Sequence, residues 1–293
     1  MPSLTTRRRI IQVLTGVLLT CNFTVFTSST VFFGSVCLPI IHCNACPLTW
    51  FACPIYTISE LIQFHAVPWL TLGLIAGFGV FLGRFFCGWV CPIGLLQDLV
   101  HGIPSPKIRF PSFLRWMKYV FLIAGVGLVA FFAGKEVLYF FCKYCPVATI
   151  EVAVPQMIVD RDWTMDTWRI LRLSVLALVL VLVLFNIRSF CKIMCPVGAL
   201  VAVANKFSLY TIRLDPGKCV HCRKCDKACP MDVPVENTSR TGRSVNRHTE
   251  CIECLKCQEV CPVKAITNNS GSPGIWLKQT FAKYLTNVVR RRY

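Results

Sequence analysis

Four long apolar stretches, separated by polar or basic connectors, fill the first two thirds of the chain. They cover residues 10–33, 66–86, 119–139 and 170–187. An apolar helix of about 20 residues is long enough to cross a lipid bilayer, so the pattern predicts an all-α membrane bundle of four helices. The first stretch is longer than the apolar core of a secretory signal and lacks a small-residue cleavage site, which favours a retained anchor.

Small residues in the second stretch predict how it packs. Gly73 and Gly77 form one pair at small-xxx-small spacing, and Gly79 and Gly83 form another. Glycine at this spacing lets a neighbouring helix approach closely. We therefore expect both pairs at helix contacts.

The distribution of positive charge predicts how such a bundle is oriented. The chain has 293 residues, of which 55% are hydrophobic, and a formal net charge of +17. The N-terminal arginines, the 84–118 connector and the segment after residue 188 are rich in Lys and Arg, whereas residues 37–64 contain neither. Because basic loops stay in the cytoplasm, we expect both termini there, with the bundle in the inner membrane of a prokaryote. No recognition motif for nucleic acid accompanies the charge, so no nucleic-acid partner is expected.

The polar last third contains the most specific motif of the chain. Two C-x₂-C-x₂-C-x₃-C-P runs begin at Cys219 and Cys251. In this spacing three thiolates of one run and the fourth of the other bind each [4Fe–4S] cluster. One predicted ligand set is Cys219, Cys222, Cys225 and Cys261, and the other is Cys251, Cys254, Cys257 and Cys229. Zinc sites also use C-x₂-C pairs, but zinc does not require the third Cys and the Cys-Pro that recur here at identical offsets.

The apolar two thirds contain one cysteine unit twice, in residues 10–105 and 115–206. Each copy has a C-x₂-C-P pair after its first apolar stretch and an R-x-F-C-x₃-C-P-x-G motif after its second. Two spans per copy give the copies the same orientation, which brings four thiols to each membrane face. We therefore expect one [4Fe–4S] cluster near the cytoplasmic face, on Cys87, Cys91, Cys191 and Cys195, and another near the outer face, on Cys43, Cys46, Cys142 and Cys145.

Disulfides are an alternative for the outer cysteines. An oxidising compartment favours disulfides, and Cys37 and Cys53 supply two further thiols in the same part of the chain. For the inner set the alternative is isolated structural cysteines, which the duplicated Cys-Pro motif and its ligand spacing disfavour.

Together these motifs resemble the NapH/MauN family of ferredoxin-type membrane quinol dehydrogenase subunits, found in periplasmic nitrate reductase and methylamine dehydrogenase systems. They are also similar to the membrane polyferredoxin half of the nitrous-oxide reductase maturation regulators. The resemblance rests on Cys87-x₃-Cys91-Pro92, on Cys191-x₃-Cys195-Pro196 and on the two ferredoxin runs. It implies oxidation of membrane quinol and delivery of electrons to a partner redox protein.

The expected function is thus electron transport between the quinone pool and a redox partner of ferredoxin or cytochrome c type, as in anaerobic respiration. The chain would be a subunit of a quinol dehydrogenase complex. The alternative is a redox-sensing regulator or maturation factor without quinol turnover. Because quinol oxidation releases protons, a titratable group is needed beside a cluster, and the candidates are His42, His65, Asp98 and His101.

Three regions follow from these patterns. Residues 1–206 are expected to form the four-span membrane domain, in contact with lipid, and residues 207–270 an α+β domain with two clusters. By resemblance to bacterial two-cluster ferredoxins, the second domain is expected to be a compact pseudo-twofold arrangement of short hairpins and helices. Residues 271–293 are expected to form a basic amphipathic tail.

Overall fold

The computed structural model describes residues 3–20, 37–43, 52–133, 140–161, 164, 166–240 and 244–268. Cys46, the end of the first apolar stretch and the C-terminal tail lie outside the described residues, so the predictions for them stay predictions. Two parts can be distinguished by their cores. The helical half comprises the described residues up to 207, and the ferredoxin half comprises those from 208 to 268.

The helical half is built from helices joined by short turns. In chain order it begins with α1 (Leu4–Thr20), α2 (Pro54–Gln63), α3 (Trp69–Leu82), α4 (Phe85–Trp89) and α5 (Pro92–Val100). A continuous run then joins a 3₁₀ turn (Ser112–Trp116), α6 (Met117–Val120), a π-helical segment (Phe121–Leu128) and α7 (Val129–Ala133). A 3₁₀ turn (Phe141–Lys143) precedes α8 (Pro146–Ala148), a second π-helical segment (Thr149–Ala153) and α9 (Val154–Asp160). The half ends with α10 (Thr167–Phe185), α11 (Ser189–Ile193), α12 (Pro196–Ala204) and a 3₁₀ turn (Asn205–Phe207).

Four of these helices begin in the same way. At α2, α5, α8 and α12, a cysteine in extended conformation precedes a proline at the first helical position. Proline suits this position because its φ is already helical and its missing N–H would have no partner there. The residue before proline is in turn restricted to extended conformations. Each Cys-Pro pair therefore starts a helix and holds its cysteine at the helix end.

Two helical segments of the described residues are long and apolar enough to cross a membrane, Ser112–Phe132 and Thr167–Phe185. Many of their apolar side chains are exposed, including Phe132 at 79%, Ile123 at 62% and Leu178 at 58%. Contiguous exposed apolar surface of this kind is typical of contact with lipid or with another protein.

The predicted four-helix bundle is not confirmed. The second apolar stretch forms α3, which is only 14 residues long because it starts after Pro68 and stops at Gly83, where φ is +55°. The described part of the first stretch belongs to α1, which ends at Thr20.

The ferredoxin half is a small α+β unit. It contains β1 (Ile212–Leu214), α13 (Lys224–Ala228), α14 (Val235–Arg240), a 3₁₀ turn (Val245–Arg247), α15 (Lys256–Glu259) and β2 (Ile266–Asn268). The two strands pair antiparallel, with Ile212 opposite Asn268 and Leu214 opposite Ile266. Instead of the expected short hairpins, the described residues of this half form one two-stranded sheet from its first and last segments.

The backbone of the ferredoxin half repeats itself. Left-handed conformations, which are uncommon outside glycine, occur at the same offsets within and just after both cysteine runs. The pairs are His221 with Glu253, Arg223 with Leu255, and Asp232 with Lys264. This repeat agrees with the expected pseudo-twofold arrangement.

Only part of the glycine pattern marks close packing. A β-carbon on Gly79 would lie 2.4 Å from the Ala204 side chain of α12, whereas one on Gly73 or Gly77 would have no described residue within 4 Å. The close contact between α3 and α12 therefore depends on Gly79, and close packing at the Gly73/Gly77 pair stays a prediction.

We expect Gly79→Leu to destabilise the protein by about 1–3 kcal/mol, because overpacking a close contact costs that much. Gly77→Leu is the matched control, since it makes the same change on the same helix with no described residue within 4 Å of the added β-carbon. Both variants gain the same helix propensity, so their difference isolates the packing effect. The measurement is the free energy of unfolding of the detergent-solubilised protein, and equal values for the two variants would contradict the packing argument.

Candidate iron–sulfur sites

One predicted cysteine set of the ferredoxin half lines a single small cavity. Cys229, Cys251, Cys254 and Cys257 surround it together with apolar side chains such as Met231. Burial raises the pKa of the Cys229 thiol to about 11, and the neighbouring Cys254 adds to this shift. Buried thiols of this kind become thiolates when a metal binds them. The cavity thus brings together the four ligands that the motif spacing predicts for one cluster.

The other predicted set lies beside it and nearer the surface. Cys225 is buried and interacts electrostatically with Cys219, whereas Cys222 is exposed. Cys257 of the first set also interacts with Cys225, so the two sets adjoin each other. Cys261 packs against the same core.

Backbone N–H groups point at the sulfurs of both Cys-Pro cysteines in this half. The amide of Val233 donates to Cys229 Sγ at 3.4 Å, and the amide of Ala265 donates to Cys261 Sγ at 3.3 Å. Hydrogen bonds to cluster sulfurs are one of the ways in which a protein sets the cluster's reduction potential.

The four inner cysteines of the helical half also come together. Cys195 interacts electrostatically with Cys191, Cys87 and Cys91. The amide of Gly198 donates to Cys195 Sγ at 3.3 Å, and Gln97 Nε2 donates to Cys191 Sγ at 3.2 Å. The C-x₃-C-P motifs of the two repeats therefore meet in one place, as their duplication predicts.

Two fully buried arginines cross between the repeats at this site. Arg188 Nη1 donates to the carbonyl of Cys87 at 3.1 Å, and its guanidinium lies against Gly94. Arg84 of the first repeat lies in the same way against Gly198 of the second. Each arginine thus sits on the Cys-Pro helix of the other repeat.

The inner site has the charge that an anionic cluster requires. Arg84 interacts with the thiols of Cys87, Cys191 and Cys195. Its Nε is buried and has no hydrogen-bond partner among the described residues. A buried positive charge is stable only beside negative charge, so four thiolates with iron fit this position.

Acidic side chains complete the charge balance. Asp98 accepts from Arg188 Nε and Nη2 at 2.9 Å each and from Arg8 Nη2 at 2.8 Å. Burial would raise the pKa of Asp98, but the two arginines outweigh it and hold the pKa below its usual value. Glu250 of the ferredoxin half pairs with Arg84 at 3.4 Å and with the buried Lys118.

The ferredoxin half docks directly beside the inner cysteines. A β-carbon on Gly88, which lies between Cys87 and Cys91, would be 2.2 Å from the carbonyl oxygen of Ile252 and 3.4 Å from the amide of Cys254. Trp89 Nε1 donates to the carbonyl of Glu253 at 3.0 Å. The backbone of one predicted ligand loop is therefore in contact with the backbone of the other.

A further cavity of about 210 Å³ lies between the start of α2 and the segment around α8. Four cysteines line it, Cys43, Cys53, Cys142 and Cys145, and we call it the distal cavity. Three of them belong to the predicted outer set. The fourth predicted member, Cys46, lies outside the described residues, and Cys53 was not predicted as a ligand.

The predicted proton-transfer residues lie in different surroundings. His42 lines the distal cavity, and His65 packs edge-on against Phe131 with ring centroids 4.8 Å apart. The His101 ring Nδ1 lies 2.9 Å from the carbonyl oxygen of Val183. The two arginines hold Asp98 in its charged form, which disfavours proton transfer by this carboxylate.

All the cysteines of the described residues are free thiols. Within that same part of the chain, no three His, Cys, Asp or Glu side chains lie close enough together to hold a single metal ion.

Comparison with known proteins supports iron–sulfur chemistry. A family model described as a 4Fe-4S binding domain matches residues 64–111 and 168–211, one match in each repeat, and a 4Fe-4S dicluster domain matches residues 211–262. The first match contains Cys87 and Cys91, and the second contains Cys191 and Cys195. The distal cavity cysteines lie outside all of these matches.

Several known proteins are similar to the chain. The putative electron transport protein YccM of Escherichia coli is 27% identical over 61% of this chain and 50% of its own length. The ferredoxin-type protein MauN of Methylobacillus flagellatus is 26% identical over 54% of the chain and 52% of its own length. The ferredoxin-type protein NapH of Haemophilus influenzae is 26% identical over 60% of the chain and 59% of its own length. Proteins named regulatory protein NosR match as well. The chain spans about half the length of YccM, MauN and NapH, but only 20% of each NosR protein. No solved structure matches the chain.

We expect Asp98→Asn to destabilise the protein by about 3–5 kcal/mol, because it leaves two buried arginines without their counter-charge. Asp215→Asn is the control, since Asp215 forms an exposed pair with Lys218 at 3.7 Å and such pairs contribute at most about 1 kcal/mol. Denaturant unfolding of anaerobically purified protein measures both. Similar losses in the two variants would show that the arginines do not depend on Asp98.

Proposed function

We propose that this chain, which belongs to the NapH/MauN-type family of ferredoxin-type proteins, passes electrons between the quinone pool and a partner redox protein. The family membership confirms the resemblance predicted from the cysteine motifs. The matched 4Fe-4S domains support iron–sulfur electron transfer as the general activity. We further propose three [4Fe–4S] clusters on the two ferredoxin sets and the inner set, with a fourth at the outer cysteines.

The observation that carries this proposal is the contact at Gly88. Electron transfer between metal centres falls steeply with distance, and here the backbone at Gly88, between two inner cysteines, contacts the backbone of the Cys254 loop. Arg188 interacts with both Cys191 and Cys254, so one positive charge serves both sites. When bound, each cluster would accept and release one electron, and the chain's contribution is to hold adjacent ligand sets in contact.

The exposed end of this route is at Cys222. It is the one exposed cysteine among those described, and Arg223 and Lys218 beside it are also exposed. A basic surface around a redox site attracts an acidic partner. We therefore place the docking site of the redox partner, of ferredoxin or cytochrome c type, at this surface.

The apolar helices support a membrane location for the helical half. Ser112–Phe132 and Thr167–Phe185 expose apolar side chains along their length, which lipid would cover. We propose the inner membrane of a prokaryote, with both termini and the ferredoxin half in the cytoplasm. Four spans remain part of this proposal.

A groove at the junction of the two halves suits a quinol ring. It has a volume of about 590 Å³ and is lined by Trp116, Tyr119, His248 and Glu250, among others. Aromatic side chains offer flat apolar contact for such a ring. The groove adjoins the ferredoxin half next to Cys251, so electrons released there would have a short way to a ligand set.

His248 is the proposed proton acceptor in this groove. Burial and neighbouring positive charges lower its pKa, so the ring is neutral near pH 7 and can take up a proton. The amide of Glu250 donates to its Nδ1 at 3.2 Å, which orients the ring. Nδ1 is therefore the nitrogen without a hydrogen, and it would receive the proton, while Nε2 carries the hydrogen of the neutral ring. Quinol oxidation releases two protons and two electrons, and His248 would take the first proton.

A second candidate function is redox sensing without turnover, because relatives at 28–29% identity are named regulatory protein NosR. Such a protein would contain reducible clusters but show no electron flow from quinol.

The test uses anaerobically purified full-length protein in proteoliposomes. We expect a menaquinol analogue to reduce the clusters rapidly, as followed by their visible absorption and EPR signals. Dithionite serves as the control that the clusters can be reduced. Clusters that dithionite reduces and quinol does not, under a favourable potential, would exclude the quinol dehydrogenase and favour the sensor.

We expect His248→Gln to slow quinol-dependent reduction about 100-fold, the lower end of the contribution of a general base, without changing dithionite reduction or iron content. His65→Gln is the control, because His65 lies at the end of α2 and contacts Phe131 instead of the groove. A rate loss in His65→Gln with none in His248→Gln would move the quinol site away from the groove.

A further inference from the structure

We infer that the distal cavity is a [4Fe–4S] site whose ligands are Cys43, Cys53, Cys142 and Cys145, with Cys53 in the position expected for Cys46. This assignment adds a fourth ligand set to the proposed electron route. The role of the cluster in electron transfer rests on the proposed function, but the identity of its ligands does not. Whether iron binds there is a separate question that iron content answers directly.

The first argument is that these four thiols share one cavity. All four line the same space of about 210 Å³. Cys142 interacts electrostatically with Cys53, Cys145 and Cys43, and Cys145 interacts with Cys53 and Cys43. Four thiols around one cavity are the donor set that a [4Fe–4S] cluster requires.

The second argument comes from the Cys-Pro corners. At Cys53 the backbone has φ −69° and ψ 121°, and at Cys145 it has φ −61° and ψ 121°. The inner ligands Cys91 and Cys195 have nearly the same values, with φ −67° and −69° and ψ 116° and 110°. Among the described residues, each cysteine set of the helical half thus contains two such corners, one from each repeat, and in the outer set these are Cys53 and Cys145.

The third argument concerns the backbone amides near these corners. The amides of Ile55 and Tyr56 act electrostatically on the sulfur of Cys53, as those of Val147 and Ala148 act on Cys145, although neither sulfur accepts a capping hydrogen bond from its helix. The same relation holds for Ile93 and Gly94 with Cys91. Free N–H groups at the start of a helix stabilise negative charge, and here they lie beside thiols that iron would convert to thiolates.

Arg172 at the distal cavity fits an anionic occupant, whereas the negative charge of the nearby Glu151 disfavours a thiolate at Cys53. Arg172 lines the cavity and donates from Nε to the carbonyl of Lys143 at 2.7 Å, which fixes the guanidinium beside the thiols. Glu151 Oε2 accepts from the amide of Cys43 at 2.6 Å and so positions that ligand's backbone. An arginine beside the cysteines is also the arrangement at the inner site.

Cys37 is not part of this set, although it lies nearby in sequence. Its Sγ lies 3.5 Å from Thr57 Oγ1 and 3.8 Å from Thr71 Oγ1, and it does not line the cavity. It is a buried cysteine of the same segment and therefore a matched control.

The experiment measures iron and acid-labile sulfide per chain in full-length protein purified anaerobically. Cys53→Ala is expected to lose about four iron and four sulfide per chain relative to the unsubstituted protein, the content of one cluster. Cys37→Ala and Cys46→Ala are expected to keep the full content. If Cys53→Ala does not accumulate, Cys53→Ser is used with EPR, where the signal of one cluster should change and the others should not.

Three results would overturn the inference. The first is unchanged iron in Cys53→Ala, and the second is an iron loss in Cys46→Ala without one in Cys53→Ala. The third is a mass spectrum of the alkylated protein that shows two disulfides among the four cysteines. Failure of quinol reduction with the iron loss intact would instead count against the proposed function alone.

Discussion

The structure depends on pairing buried positive charge with sulfur and carboxylate. Arg84 and Arg188 are both fully buried, and an isolated buried charge would cost several kcal/mol. Each is placed against the Cys-Pro helix of the opposite repeat. The repeats must therefore pack face to face, and their cysteines necessarily converge at the same point.

A second device fixes where the sulfurs lie. The Cys-Pro pair limits the cysteine to extended backbone and starts a helix at the next residue, so the thiol sits over free amide groups. The helical half uses this device at Cys53, Cys91, Cys145 and Cys195, and the ferredoxin half directs amides at Cys229 and Cys261. The Cys-Pro pair thus fixes the backbone of a ligand cysteine before any metal is present. The same pair is used in the helical half and in the ferredoxin half, although their folds differ.

The sequence predicts the sites whose ligands follow a short, repeated spacing. Both ferredoxin sets and the inner set could be written down from motif offsets alone. Cys53 could not, because its separation from Cys43 is set by how the intervening chain folds, although its Cys-Pro pair was a usable signal. The pairing of Arg84 with Glu250 spans 166 residues, and no local pattern encodes such a distance. The four-span prediction is not confirmed, because hydropathy alone does not register that Pro68 and Gly83 limit α3 to 14 residues.

The two arginines differ in where their carboxylate comes from. Asp98, in the first repeat, neutralises Arg188, but the corresponding position of the second repeat is Ala202, which is fully buried. Arg84 instead relies on Glu250 of the ferredoxin half. The second repeat therefore has no acid of its own at this position, and the counter-charge of Arg84 comes from the ferredoxin half. The helical half therefore depends on the ferredoxin half for its stability, because removing Glu250 with that half would leave Arg84 and Lys118 buried without their counter-charge.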